Sequence, residues 1–438
     1  MDYFRLKKKM ISTLTNRVKG FVRRVSGIDS VTLDGCVGGD WLDLNISGNS
    51  LQDGTPTPEA PIEVISVGDL SVNILPDAKD IYNGGGGVIA HNYKEVIEDG
   101  RECISFTSAR NIAYDKIKFK ENTQYTFSFD CKDFVHVSGF TGNYDIPFGI
   151  WYTDGDRKLI TIPKNSDWTK LIIVSDANKT VSHIGMISFT SYTTMYIDIN
   201  TFQIEEGTTA TPYEPYGKYK IPVVVKADNK EIVTNIFLNE PLRKIGDYAD
   251  YIDFKNKKVV RNTFVRVYDG YGKTDNPFNK NDNEENWAGS ENHGDVLENF
   301  WLYTLNDVLP VIPKSGHHSA NDFKQVPMCL QLPVKTGYYD ANTSDATVDK
   351  EMIWFSQQAR CVRVYLSKDR VGGTRSNFLT YLRSNPISVV IATYQPYEEP
   401  LNIELPQLPA QTVIVEIDTE LAPTGVEVEY YSNSKGEI

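Results

Sequence analysis

Cysteine is scarce and odd in number. Cys36, Cys103, Cys131, Cys329 and Cys361 are the only five in 438 residues, and their wide, irregular spacing indicates neither a disulfide framework nor a zinc site, so they read as buried or half-buried thiols. No apolar run approaches the length of a transmembrane helix, and basic residues scattered through the N-terminus interrupt the apolar core that a signal peptide needs. Positive charge is in deficit: the formal net charge of -13 argues against a nucleic-acid partner. No fixed-period repeat of the β-helix kind is visible. There is no nucleophile elbow, and Gly84 to Gly87 lack the strand, helix and basic partner of a phosphate site. His91, His136, His183 and His293 are isolated. His317 and His318 are adjacent, and neighbours on a strand point to opposite faces. With 58 acidic residues a chance carboxylate pair means little. No catalytic constellation survives these exclusions, and the chain reads as a non-enzyme.

What is present is aromatic and β-forming. The length allows two to three domains with real cores, and 25 Tyr with 19 Phe favour strands. Charge is unevenly spread. Residues 1–27 hold eight Lys or Arg against the single acid Asp2, a balance of +7 that leaves about -20 on the rest. Within this basic head Ile11, Leu14, Val18, Phe21 and Val25 fall at spacings of three, four, three and four, which predicts an α-helix with a heptad seam that Gly27 stops. So short a helix needs partners. It is open to three readings: a parallel oligomeric coil, a helix docked on another protein, or a basic amphipathic helix on a membrane surface.

From Gly48 to Asp69 the run GNSLQDGTPTPEAPIEVISVGD holds Pro56, Pro58 and Pro61, each of which locks φ and pushes its predecessor out of the helical region. The expectation is a stiff extended spacer, serving as a plain linker or as an assembly surface. Beyond it, strands are expected at Glu102 to Ser108, Tyr125 to Cys131, Phe148 to Tyr152, Lys170 to Val174 and Met195 to Ile204. Several of these alternate, as in YTFSFD. Many short half-buried strands need a second sheet to cover their apolar faces, which makes residues 71–217 an all-β sandwich. Residues 259–400 mix strands at Met328 to Leu332, Met352 to Phe355 and Val362 to Leu366 with one short helix. Thr374 can cap that helix, Phe378, Leu379 and Leu382 give it an apolar face, and Asn385-Pro386 ends it. Thr412 to Tyr431 reads as two strands around a turn at Leu421 to Gly425.

Three segments together resemble a family. The GNS-x-QDGTPTP-x-x-P run with its closing VGD, the run FQIEEGTTATPYEPY at Phe202 to Tyr216 and LRKIGDYADYIDF at Leu242 to Phe254 are similar to segments of tail-tip, baseplate and fibre proteins of bacteriophages infecting Gram-positive hosts. The resemblance spans Leu44 to Tyr431. It implies a virion structural or adsorption role, and a jelly roll like that of carbohydrate-binding modules for residues 71–217. The overall expectation is a mainly β chain: an N-terminal helix (1–27), a β and Pro-rich connector (28–70), the sandwich (71–217), a β connector (218–258), a second β-rich domain (259–400) and a C-terminal β-segment (401–438).

If the sandwich binds sugar, the chemistry is aromatic stacking on a pyranose with planar polar groups on its hydroxyls. Trp168, Trp151, Tyr152, Tyr144 and Asn143 are the candidates by residue type, with Trp287 in the acidic, Asn-rich run after Thr274. Of the adjacent pair Trp151 and Tyr152 only one can face the core, and that place is assigned to Trp151. Trp168 sits in a polar turn. The resemblance further implies a structural calcium, with Asp198 as its carboxylate. It also implies a homo-oligomer, three copies being the number it supplies, that meets other tail or baseplate proteins and host-surface glycan. Membrane is not an expected partner. The particle would be assembled in a host cytoplasm and released by lysis. Two other functions compete: a glycan-active depolymerase or glycosidase, and a structural adaptor without a ligand.

Overall fold

The computed structural model describes residues 16–21, 28–34, 44–76, 93–106, 112–114, 117–135, 146–162, 167–186, 193–227, 230–269, 300–306, 327–336, 351–356, 361–371, 375–403, 412–418 and 427–432. It is mainly β, as composition predicts. Two compact units divide the chain: Leu70–Lys220 with Phe237–Asn239 form one, and Met1–Asp69, Ile221–Ile236 and Glu240–Ile438 the other.

Among the described residues the first unit is an antiparallel β-sandwich whose two sheets hold ten strands. These are β1 (Tyr93–Glu98), β2 (Arg101–Phe106), β3 (Ile112–Tyr114), β4 (Tyr125–Val135), β5 (Ile146–Tyr152), β6 (Arg157–Ile162), β7 (Thr169–Val174), β8 (Val181–Met186), β9 (Thr193–Asp198) and β10 (Gln203–Glu206). The larger sheet runs β7-β4-β9-β2-β1, with β10 also paired to β4; the smaller runs β6-β5-β8-β3. Alternation along β4 sends Tyr125, Phe127, Phe129 and Cys131 inward, where they meet Phe148, Ile150 and Ile184 of the other sheet. The Phe129 and Phe148 rings pack edge to face at 4.9 Å. Each such ring contributes roughly 1.5–3 kcal/mol by leaving water. The stretch expected as one strand from Met195 to Ile204 is two, because Asp198 turns the chain: its Oδ1 accepts from Asn200 N at 3.0 Å and its carbonyl from the Thr201 hydroxyl at 2.9 Å. That break sends β9 and β10 to successive stretches of β4.

The FQIEEGTTATPYEPY run closes this sandwich. Glu205 accepts from Gln203 Nε2, Thr211 N and the Thr211 hydroxyl, and Gln203 Oε1 accepts from Glu214 N at 2.7 Å. Glu214 in turn receives Val72 N at 2.9 Å and Lys220 Nζ at 2.6 Å. The buried carboxylates Glu205 and Glu214 therefore tie β10 and the loop after it to each other and to Val72 and Lys220, each carboxylate accepting hydrogen bonds on both oxygens.

In the second unit a seven-stranded sheet orders Asn16–Phe21, Glu427–Ser432, Leu44–Ser47, Tyr251–Asp253, Lys258–Tyr268, Ile387–Pro400 and Met328–Cys329. Two expectations fail here. Asn16–Phe21 is a strand with Val18 opposite Tyr430 and Phe21 opposite Glu427, so Val18 and Phe21 do not sit on a helical seam. A short isolated helix is marginal, while pairing with a neighbouring strand satisfies the same backbone groups. Ile11, Leu14 and Val25 lie outside the described residues. The C-terminal strands also do not form a hairpin: Thr412–Asp418 pairs with Tyr219–Ala227 and Ile28–Asp34, whereas Glu427–Ser432 joins the seven-stranded sheet. The expected helix is present as Arg375–Ser384, with Phe378 and Leu382 buried; Thr374 lies outside the described residues.

The Pro-rich run is not an extended spacer. Leu51 pairs with Ile65, so residues 52–64 form a closed loop that reverses through Gly54 at φ +101° and reciprocal Thr57–Ala60 backbone bonds. Gln52 Nε2 then donates to Cys329 O at 2.8 Å, Ile62 N to Leu330 O at 2.8 Å, and Arg370 to Glu59. The loop is strapped to the β-rich part of its own unit.

LRKIGDYADYIDF likewise builds a buried hub. Asp250 accepts from Arg243 N, Asn262 N, Thr263 N and the Thr263 hydroxyl, and faces the buried guanidinium of Arg261 at 3.4 Å. Burial pushes its carboxyl up and Arg261 opposes that shift. Gly48 packs against this segment so closely that an added Cβ would stand 2.5 Å from the Leu242 carbonyl carbon.

Candidate functional site

The outer face of the larger sandwich sheet gathers the strongest candidate residues. On β4, Asp130 and Lys132 alternate with the inward Phe129 and Cys131. The β1–β2 turn carries Asp99 and Gly100 at φ 50° and 78°, the left-handed pair that a tight hairpin turn needs. The register of Cys131 with Thr169 carries Trp168 to the row of Lys132. Trp168 is half-buried; its Nε1 donates to Asp99 Oδ2 at 3.0 Å, and the Arg101 guanidinium lies 4.5 Å from its ring centroid.

Two cations bridge four carboxylates around that ring. Lys132 Nζ donates to Asp99 at 2.7 Å and Glu98 at 3.0 Å. Arg101 Nη1 reaches Asp130 at 3.0 Å and Asp198 at 3.1 Å. The hydrogen bond from Lys132, then that from Trp168, holds the Asp99 carboxyl below the usual carboxylate range. Asp130 foremost, and Asp198 after it, holds the Arg101 guanidinium above its ordinary value. Beneath them burial pushes the Cys103 thiol up to about 11, so it stays protonated at neutral pH. A lowered Asp99 is the reverse of what a general acid needs. The arrangement suits binding: a fixed aromatic surface edged by charged hydrogen-bonding groups whose positions are set before any ligand arrives.

Trp151 and Tyr152 exchange the places expected of them. Unbroken alternation along β5 turns Tyr152 inward with Phe148 and Ile150, to 3% exposure; the register shift at Trp151/Tyr152 falls on β8, where Ser182 is the extra residue. The Tyr152 hydroxyl accepts from Asp176 N at 2.7 Å. Trp151 is half-buried on the smaller sheet, stacked on His183 at 5.1 Å between ring centroids and with its six-membered ring close above Gly149. Trp151 and Trp168 thus belong to different sheets and are not brought together. Tyr144, Asn143 and Trp287 lie outside the described residues.

Asp198 does not fit a calcium ligand. Its Oδ2 faces the Arg101 cation and its Oδ1 receives a backbone N–H, the wrong partners for a hard cation. Among the described residues no group of three or more His, Cys, Asp or Glu is placed to hold a metal, and no helix there is long and apolar enough to cross a membrane.

Sequence reasoning missed Glu98, Asp99, Arg101, Asp130 and Lys132. Asp99-Gly100 between two alternating runs is a hairpin signal that places the turn. Nothing local links that turn to Trp168, 69 residues away.

No protein-family model and no curated protein matches this chain. Among solved structures it is similar to a xylan-binding domain and to a phage baseplate protein. The first is the CBM22-1 domain of Paenibacillus barcinonensis Xyn10C, 16% identical over 33% of this chain and 98% of that one, with a TM-score of 0.21. The second is the tripod from the baseplate of bacteriophage Tuc2009, 14% identical over 50% of this chain and 90% of that one, also at 0.21. The CBM22 tandem of the same Paenibacillus enzyme aligns with 83% of this chain and 98% of its own at 11% identity and 0.21. Scores this low do not carry over what those proteins bind or build.

Proposed function

We propose that the chain is a virion component of a phage tail, baseplate or fibre, without catalytic activity, whose sandwich contacts host-surface glycan through the face around Trp168. The observation that carries the glycan contact is the half-buried indole pinned between Asp99 and Arg101 on the outer face of the larger sheet. Exposed Lys170 and Ile172 beside it leave that strand open to a ligand. The virion role is supported by the three sequence segments that resemble tail proteins. Each of them is spent on architecture: a strapped loop, a sandwich clasp and a buried hub.

A shallow aromatic site of this kind binds weakly, in the range of about millimolar to micromolar. Several copies per particle, three by the resemblance, would convert weak contacts into firm adsorption. The test is retention of the full-length protein on intact Gram-positive cells and their wall polysaccharide. Trp168→Ala should abolish retention at a cost of about 1–2 kcal/mol in stability, as for a half-buried side chain, leaving the sandwich folded. Equal retention of both proteins would refute the site, and no retention of the wild type would favour the ligand-free adaptor.

A further inference from the structure

The face around Trp168 continues along its strand. We propose that it holds the interior of a linear glycan chain laid along β7, with Ile172 as a second apolar contact; the inference rests on reading Trp168 as the glycan contact. Leu171 and Ile173 of β7 point into the core, so alternation turns Lys170 and Ile172 to the outer face, the side on which Trp168 meets Asp99. Lys170 is exposed and Ile172 is 46% exposed. At about 3.3 Å per residue, Trp168 and Ile172 stand about 13 Å apart, farther than one pyranose ring spans. Lys170 stands between them, and a lysine stem of this kind covers apolar surface while its ammonium stays in water. The strand is an edge of the larger sheet, so among the described residues no neighbouring strand blocks a chain along its far side. Charge gives this face no basis for selection. Register carries Lys94 to the row of Lys132 and Lys170 to Asp130, so Glu98, Asp99, Asp130 and Asp198 are met by Lys94, Arg101, Lys132 and Lys170. Length is what remains: a terminal sugar reaches Trp168 alone, whereas a chain covers both apolar contacts.

The experiment measures calorimetric binding of the full-length protein to Gram-positive wall polysaccharide fragmented by mild acid and sorted by size, from single sugars to chains well beyond the strip. Affinity should rise with length until a fragment covers both contacts. Ile172→Thr keeps the branched Cβ that suits a strand. It should weaken the binding of long fragments about threefold or more, the worth of burying the exposed apolar part of that side chain, while fragments too short to reach residue 172 bind as they do to wild type. Ile172→Val should retain most of the affinity, and Trp168→Ala should lose fragments of every length. Single sugars that bind as tightly as long chains, or long chains that bind Ile172→Thr as well as wild type, would overturn chain binding while leaving the Trp168 contact standing. Failure of the wild type to bind any fragment would remove the glycan reading and this inference together.

Discussion

Asp250→Ala tests whether the LRKIGDYADYIDF segment is a structural hub. The side chain is fully buried and accepts four hydrogen bonds besides facing Arg261, which is itself fully buried. Removing one partner of a buried ion pair costs about 3–5 kcal/mol, because the remaining charge stays desolvated. Arg261 keeps the Pro241 and Glu240 carbonyls at 2.8 Å and Glu399 at 3.3 Å, which places its share near the lower end. The orphaned N–H groups of Arg243, Asn262 and Thr263 add about 1–3 kcal/mol apiece where no water reaches them. With three such groups a loss of about 6 kcal/mol or more is expected, enough to unfold a marginal domain. Urea denaturation with amide hydrogen exchange at Asn262 and Thr263 is the assay, since residue-level exchange does not require the whole chain to unfold in two states. Asp250→Asn, which keeps the shape and one acceptor, should lose about half as much. The reasoning fails if Asp250→Ala shifts stability by less than about 1 kcal/mol, or if both amides remain as protected as in the wild type.

Two further outcomes follow from the sandwich. Tyr152→Ala should cost about 3–5 kcal/mol as a core aromatic that also holds Asp176 N, and Trp151→Ala only about 1–2 kcal/mol, measured as denaturation midpoints; the reverse order would place Trp151 in the core after all. Glycan retention should persist at neutral pH and fall on acidification. A carboxyl held low in the folded state, as Asp99 is, contributes fully above its unfolded value near 4 and loses that contribution as pH drops through its folded value. Retention titrated from pH 7 to 3 and unchanged throughout would show that the Asp99 contacts do not position Trp168.

The sequence by itself determined the elements whose signal is local. Alternation in YTFSFD sends Tyr125, Phe127 and Phe129 to one core wherever the strand's partners lie, although Thr126 and Ser128 between them are buried too, and Phe378 and Leu382 four apart specify a buried helical face. Tertiary structure decided what depends on partners far along the chain. The spacing of Val18 and Phe21 suits a helical seam, yet pairing with Glu427–Ser432 makes that stretch a strand. Three prolines do stiffen residues 52–64, but carbonyls at Cys329 and Leu330 and the Ser50–Leu51 pairing with Ile65–Ser66 bend them into a strap. By contrast, of Trp151 and Tyr152 only one can face the core, and alternation with the inward Phe148 and Ile150 makes it Tyr152, a local signal. Around Trp168, Asp99, Arg101, Lys132 and Asp130 come from a turn and two strands that sheet order alone brings together. Side-chain periodicity fixes which face a residue occupies, whereas the residue opposite it is set by non-local pairing.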